Sequence, residues 1–177
     1  ASVLGPVRIM FPLITSLADL RQAKMVLADA IEDLEEAGHD YDHNVAVGMM
    51  VEVPAAVTML DKFLLEVDFI SIGTNDLIQY ALAVDRGNNE VADRYQASDP
   101  AVLRLLEQSL NAAREANIPA SVCGQMSGEP LYTMLLLGLG LRTLSVPPSA
   151  VPEIKQICRS VSIPQCEEVA RHAMTMD

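Results

Sequence analysis

The sequence predicts an α/β fold with a parallel sheet, and three observations predict it. Short apolar runs of strand length alternate along the chain with longer segments of helical periodicity. The run at 45–51 is nearly continuous in apolar or small residues, the pattern of a strand covered on both faces. Each run ends in a polar, Gly or Pro turn that opens a helix. At 177 residues and 50% hydrophobic, with a mean hydropathy of +0.24, residues 1–177 can bury one substantial core. Aromatics make up 4% and Trp is absent, so that core is aliphatic, with the nine Met as adaptable filler.

In chain order, 7–11 is an apolar strand stopped by Pro12, and Thr15-Ser16 opens a long amphipathic helix through Leu17, Leu20, Leu27 and Ile31. Gly38 ends its acidic last turns. His39 and His43 fall in a polar stretch that reads as a surface loop rather than a metal site. The strand 45–51 ends at Glu52, and Val53-Pro54-Ala55 starts a helix that runs to Leu65. The strand 67–72 turns at Gly73-Thr74-Asn75-Asp76 into a helix from Leu77 to Ala83, followed by the polar loop Val84 to Asn89. Ser98-Asp99-Pro100 caps the next helix, whose Val102, Leu103, Leu106 and Leu110 share a face, and Asn117-Ile118-Pro119 closes it. Strands at 119–123 and 142–146 follow, with helices over 131–137, 149–160 and 163–172. The tally is five parallel strands alternating with helices. A complete eight-stranded barrel takes about 250 residues. The sheet is therefore either open or the carboxyl-terminal part of a larger barrel.

The net charge of −12 carries no compensating basic cluster, which argues against a nucleic-acid partner. Cys123, Cys158 and Cys166 are odd in number and lack C-x-x-C spacing, so neither a disulfide framework nor a structural zinc site is indicated. No apolar run is long enough to span a bilayer, and nothing at the amino terminus reads as a signal peptide; a cytoplasmic protein without membrane insertion is expected.

The chemistry-bearing residues sit at strand ends, where α/β folds carry their active sites. Glu52 and Asp76 follow consecutive strands joined by a helical crossover, so parallel pairing brings them to the same edge, with the strands about 4.8 Å apart. Two such carboxylates can share one hard cation, magnesium, that keeps waters and takes substrate oxygens. The alternatives are a first-turn Glu favoured by the helix dipole and a Thr74-Asn75-Asp76 run that merely caps its helix. Arg86 is the one cation of its loop, suited to fork onto a phosphate or carboxylate or to pair with Asp85 or Asp93. Cys123 is either a small buried hydrophobe or a thiol placed to exchange a proton with carbon.

The segments IMFPLITS, GMMVEVPAAV, VDFISIGTNDLIQYALAVDRGN, SVCGQMSGE and LLLGLGLRTLSV, in that order, resemble the phosphoenolpyruvate-binding domain of the phosphoenolpyruvate-utilising enzymes, with enzyme I of the bacterial sugar phosphotransferase system as the nearest likeness. The resemblance implies a (β/α)8 TIM barrel, of which this chain carries the last five strand-helix units. It further implies that Glu52 and Asp76 bind magnesium, that Asn75 and Asp76 contact phosphoenolpyruvate, that Arg86 holds its phosphate, and that Cys123 protonates the enolate carbon to yield pyruvate. The implied activity is phosphoryl transfer through an enzyme histidine to a histidine-containing phosphocarrier protein in sugar uptake, by a homodimer.

Departures from the pattern accompany it. None of His39, His43 and His172 lies in the phosphoryl-accepting motif, which in that family belongs to a separate amino-terminal domain. Further substrate-gripping arginines belong to earlier barrel strands, so the 177-residue chain alone is expected to turn over phosphoenolpyruvate poorly or not at all. Gln125 replaces the glutamate usual after Cys-Gly and resembles the phosphoenolpyruvate synthase branch, which together with pyruvate phosphate dikinase is the alternative enzyme. A catalytically silent dimerisation or regulatory module is the alternative of another class.

Overall fold

The computed structural model describes residues 1–176. Its sheet has four parallel strands in chain order: β1 (Arg8–Phe11), β2 (Ala46–Val51), β3 (Phe69–Gly73) and β4 (Ala120–Cys123). Helices fill every crossover. They are α1 (Leu17–Glu36), α2 (Pro54–Thr58), α3 (Leu60–Phe63), α4 (Thr74–Leu82), α5 (Pro100–Glu115), α6 (Gln125–Gly128), α7 (Pro130–Gly138), α8 (Val151–Ser160) and α9 (Ile163–Ala173). Consecutive strands paired side by side, each returned by a helix, are the arrangement of a barrel wall. The chain is an α/β partial barrel.

Local chemistry explains most of the boundaries. Ser16 and Asp19 form a reciprocal capping box at the start of α1, and Gly38, at φ +66°, lets the chain leave beyond its end. Asp99 caps α5 by accepting from the Ala101 N–H at 2.8 Å. The helix expected to run unbroken to Leu65 is instead two short ones meeting at Met59. Thr58 Oγ1 donates back to the Pro54 carbonyl at 3.0 Å, the kind of side-chain competition that bends a helix.

The fifth expected strand, 142–146, is reduced to a single bridge between Val122 and Leu144. Two bonds make it: Val122 N–H to the Thr143 carbonyl at 3.1 Å and Ser145 N–H to the Val122 carbonyl at 2.8 Å. Pro147 and Pro148 have no N–H with which to lengthen the ladder, and the Ser145 carbonyl is taken by the Ser127 hydroxyl at 2.6 Å.

The core lies between one face of the sheet and the helices. Met49, Val51, Ile70, Ile72 and Val122 meet Leu20, Leu60, Phe63, Leu77, Leu106 and Leu136, all nearly inaccessible to solvent. The other face carries Gly48, Met50, Ser71, Gly73, Ser121 and Cys123, none of which belongs to that core. On this face Met50 and Ser121 are half-buried while Gly48, Ser71 and Gly73 are buried, so it is open only in part and β3 is covered on both sides. Near the amino end of this open face, the Phe69 ring lies across Gly48 and under the Arg8 guanidinium, 5.3 Å from the ring centroid.

The helices α7 and α9 pack backbone against backbone. At Gly138 a methyl group would fall on the Cys166 carbonyl and lie 2.8 Å from the Ala170 side chain, so the backbones touch only because position 138 has no side chain. Cys166 is fully buried in this seam and Ala170 nearly so. Among the described residues no helix is long and apolar enough to cross a membrane. Gly138→Ala is expected to lower unfolding free energy by about 2–3 kcal/mol, the scale of overpacking in a rigid core, measured by chemical denaturation.

Candidate active site

Register brings the site residues to one level. Val51 pairs with Ile72 and Ile72 with Val122, and one step on Gly73 pairs with Cys123. Glu52, Gly73 and Cys123 therefore stand side by side at the carboxyl ends of β2, β3 and β4, with Asp76 in the first turn of α4. The two carboxylates lie on the same edge of the sheet, as parallel pairing requires.

Glu52 is 3% exposed, and its Oε1 accepts the Leu13 N–H at 2.7 Å. To aim that N–H, the turn after β1 holds Leu13 at φ +51°, a left-handed conformation that is costly for a branched residue. A side chain at position 73 would meet Glu52 Oε2 at 2.7 Å and Met50 Sδ at 2.8 Å, so Gly73 is what lets the carboxylate lie across β3. Burial pushes the Glu52 carboxyl pKa up, the Leu13 N–H opposes the rise, and the charge and hydrogen bond of Asp76 add to it. Two acids thus face each other.

Helix α4 has no side-chain cap, which removes the capping alternative for Thr74-Asn75-Asp76. Thr74 is fully buried, and its Oγ1 donates to the Cys123 carbonyl at 2.8 Å. Asn75 Oδ1 accepts from the Gln125 N–H at 2.8 Å. Between these bonds sits Gly124 at φ +100°, where a methyl group would run into Thr74 Oγ1 and lie 2.9 Å from Asn75 Oδ1. The polar residues after β3 thus serve as a clamp on the turn after β4. Cys123 is half-buried, and its thiol faces the Ile72 carbonyl at 3.6 Å.

Arg86 lies beyond α4, where Ala83 turns the chain at φ +52° and the buried Val84 anchors it. Arg86 is exposed and takes part in neither of the two ion pairs among the described residues, Arg21–Glu66 and Lys62–Asp61. Asp85, one of its candidate partners, accepts from the Gly87 N–H at 2.8 Å instead. The same connection ends at Tyr95, whose hydroxyl the sequence reading missed. That hydroxyl donates to the Asn75 carbonyl at 3.0 Å. Burial pushes the Tyr95 pKa up, Arg86 opposes the shift by charge and hydrogen bonding, and Asp76 and Glu129 add to it, so all four groups share one neighbourhood. The other candidates lie elsewhere. His43 lies tilted against Tyr41, with ring centroids 4.2 Å apart, and Cys166 sits in the α7–α9 seam, where burial pushes its thiol pKa up.

The family model for the phosphoenolpyruvate-utilising enzymes' phosphoenolpyruvate-binding domain matches residues 1–163. The chain belongs to that family. A phosphoenolpyruvate-protein phosphotransferase of Cupriavidus necator is 46% identical over 156 residues, covering 88% of this chain and 27% of its own. Proteins of the same name are 39% identical in Staphylococcus aureus, over 98% of this chain and 30% of theirs, and 43% identical in a Bacillus species, over 97% and 29%. The chain therefore spans under a third of the length of these curated relatives. A solved citrate lyase of Burkholderia xenovorans shares the fold, with a TM-score of 0.62 at 21% identity over 86% of this chain and 49% of that one.

The family's phosphoenolpyruvate-binding domain implies a magnesium ion, and the donor set here suits one. Among the described residues no group of three or more His, Cys, Asp or Glu could enclose a metal. A pair of hard oxygen donors fits magnesium, which binds through one or two carboxylates and completes its shell with water and substrate oxygens. The buried Glu52 and the half-buried Asp76, whose charge raises the Glu52 pKa, are the pair a cation would relieve.

A carboxyl whose native pKa lies above its unfolded value contributes stability that is present below the unfolded value and lost as pH rises through the native one. Thermal midpoints of the metal-free chain are therefore expected to fall as pH climbs from about 4.3, the ordinary glutamate value, through the raised value of Glu52. Glu52→Gln, which keeps an acceptor for the Leu13 N–H, should flatten that slope.

Proposed function

We propose that this chain is the phosphoenolpyruvate-binding unit of a phosphoenolpyruvate–protein phosphotransferase. In this reading the phosphoryl group passes through an enzyme histidine to a histidine-containing phosphocarrier protein, and pyruvate is released. The observation that carries the reading is the convergence of Glu52, Asp76 and Cys123 at one level of the sheet, within a chain that matches the family over residues 1–163. The names of its relatives support the choice of phosphotransferase.

Glu52 and Asp76 would hold magnesium, which when bound supplies positive charge to the phosphoryl oxygens. Asn75 has its Oδ1 engaged by the Gln125 N–H, which leaves its amide N–H groups to donate to a substrate oxygen. Arg86, outside any ion pair found among the described residues, forks onto the phosphoryl group. As the bond between phosphorus and the enol oxygen breaks and the phosphoryl group moves to the histidine nitrogen, the enolate is left. The Cys123 S–H then delivers its proton to the terminal carbon, giving pyruvate and a thiolate that solvent reprotonates.

Isothermal titration calorimetry tests the binding half. Phosphoenolpyruvate should bind with magnesium and give no measurable heat in EDTA; Arg86→Ala should weaken it by about tenfold to a hundredfold, the worth of a charge-assisted contact. Binding that ignores both magnesium and Arg86 would remove the reading. In a polypeptide carrying the phosphoryl-accepting histidine, Cys123→Ala should leave phosphoenolpyruvate affinity nearly unchanged and suppress pyruvate formation. The reading includes a homodimer, since Leu65 and Leu131 are each 80% exposed and the outer edge of β1 pairs with no strand among the described residues. Sedimentation showing only monomer at micromolar concentration would count against that part.

A further inference from the structure

The turn that carries Cys123 is jointed by a glycine and fastened by side chains. Gly124 stands at φ +100°, and glycine restrains its own backbone less than any other residue. The ladder between β3 and β4 would by its own rhythm reach one rung further than it does. The Ile70 N–H donates to the Pro119 carbonyl at 2.9 Å, and a parallel ladder repeats such a bond every second residue, so the alternation calls for the Thr74 N–H to meet the Cys123 carbonyl. At Thr74 the chain has already turned into α4, and the Thr74 hydroxyl makes the bond instead, at 2.8 Å. Ser127 brings a second hydroxyl to this turn, but its Oγ lies 2.7 Å from the Gly124 carbonyl and 2.6 Å from the Ser145 carbonyl, with one proton for the two. Asn75 Oδ1 holds the turn two residues past the thiol, by accepting the Gln125 N–H at 2.8 Å. Of the three side chains Thr74 alone bonds to Cys123 itself, and it is wholly buried, out of reach of substrate. The Cys123 thiol faces the Ile72 carbonyl at 3.6 Å, so loosening the Cys123 backbone moves the sulfur off β3.

We propose that Thr74 is a positioning residue for the thiol: its hydroxyl holds the Cys123 carbonyl at the last rung between β3 and β4, and so fixes the level from which the Cys123 S–H reaches the terminal carbon of the enolate. The proposal rests on the functional reading above. In the step it serves, the S–H bond breaks, a C–H bond forms from the enolate's π electrons, and the S–H electron pair stays on sulfur as thiolate. Transfer of a proton to carbon depends steeply on the line and distance of approach, and a displacement of about 1 Å can cost on the order of a hundredfold in rate. Thr74 touches no reacting atom; it acts through Cys123.

Thr74→Val keeps the shape of the side chain and deletes the donor, and Thr74→Ser keeps the donor. The first test, on this chain, is the rate of alkylation by iodoacetamide at each cysteine. Trypsin cleavage after Arg114, Arg142, Lys155, Arg159 and Arg171 leaves Cys123, Cys158 and Cys166 on separate peptides for mass spectrometry. In Thr74→Val the Cys123 rate should rise about threefold to tenfold, the worth of one hydrogen bond, while the exposed Cys158 is unchanged and the buried Cys166 stays protected; Thr74→Ser should match the unaltered chain. An unchanged Cys123 rate overturns the proposal, and so does reaction at Cys166, which would make the hydroxyl a support of the whole fold. The second test uses a polypeptide carrying the phosphoryl-accepting histidine. Thr74→Val should slow pyruvate formation by about tenfold or more, leave phosphoenolpyruvate affinity nearly unchanged, and cost nothing further when added to Cys123→Ala. A loss of phosphoenolpyruvate affinity of the same size would place the effect on Asn75 and Asp76, which also overturns the proposal. If the unaltered chain binds no phosphoenolpyruvate while Cys123 still loosens in Thr74→Val, the functional reading fails and the anchoring of the thiol stands.

Discussion

A carboxylate buried beside another carboxylate is the interaction on which the rest of this molecule depends. Glu52 is almost wholly removed from water, within a chain of net charge −12, and the charge of Asp76 raises its pKa further. A buried charge needs a partner or a proton. Among the described residues Glu52 is compensated by one backbone N–H, and obtaining it requires Leu13 to adopt a left-handed backbone. Strain of that kind persists only where the surrounding structure fixes it, and here it fixes the acid at the open edge of the sheet. A pair so placed is poorly suited to stabilising the fold and well suited to receiving a cation.

The glycines and polar residues around the acids follow from the same demand. Gly73 gives Glu52 room to cross β3, while Gly124 lets the turn after β4 come down onto Thr74 and Asn75. The bonds Thr74–Cys123 and Asn75–Gln125 then lock the ends of β3 and β4 together, so the thiol is carried on the same rigid edge as the acids rather than on a free loop. Arg86 is the exception. It sits on a long connection whose order comes from Val84 at one end and Tyr95 at the other, an arrangement that leaves the cation room to move onto a ligand.

Much of this was legible in the amino-acid order, because burial and turn chemistry are local. Apolar runs gave β1 and β2 to within a residue of their starts, and β3 began two residues later than its apolar pattern and continued through Gly73. The strand-end positions of Glu52, Asp76 and Cys123 followed from the alternation of strands and crossovers. What sequence could not supply was tertiary. Thr74 and Asn75 look like helix caps by type, yet spend their side chains on β4 and its turn, which no periodicity records. Tyr95 gave no signal, lying in an irregular segment whose relation to Asn75 exists only after folding. The fifth strand failed because an apolar run shows burial but not whether the residues just beyond it have N–H groups to offer the neighbouring strand, and Pro147 and Pro148 have none.

The seam at Gly138 bears on where this unit ends. The family model's match ends at residue 163, the first residue of α9, although relatives match over 97–98% of the chain, and α9 is the helix that fits against the bare backbone of α7 and shuts Cys166 and Ala170 away from water. The packing therefore includes α9, a full helix past the end of that match. Trimming to the latter would strip a lid from a groove shaped for nothing else.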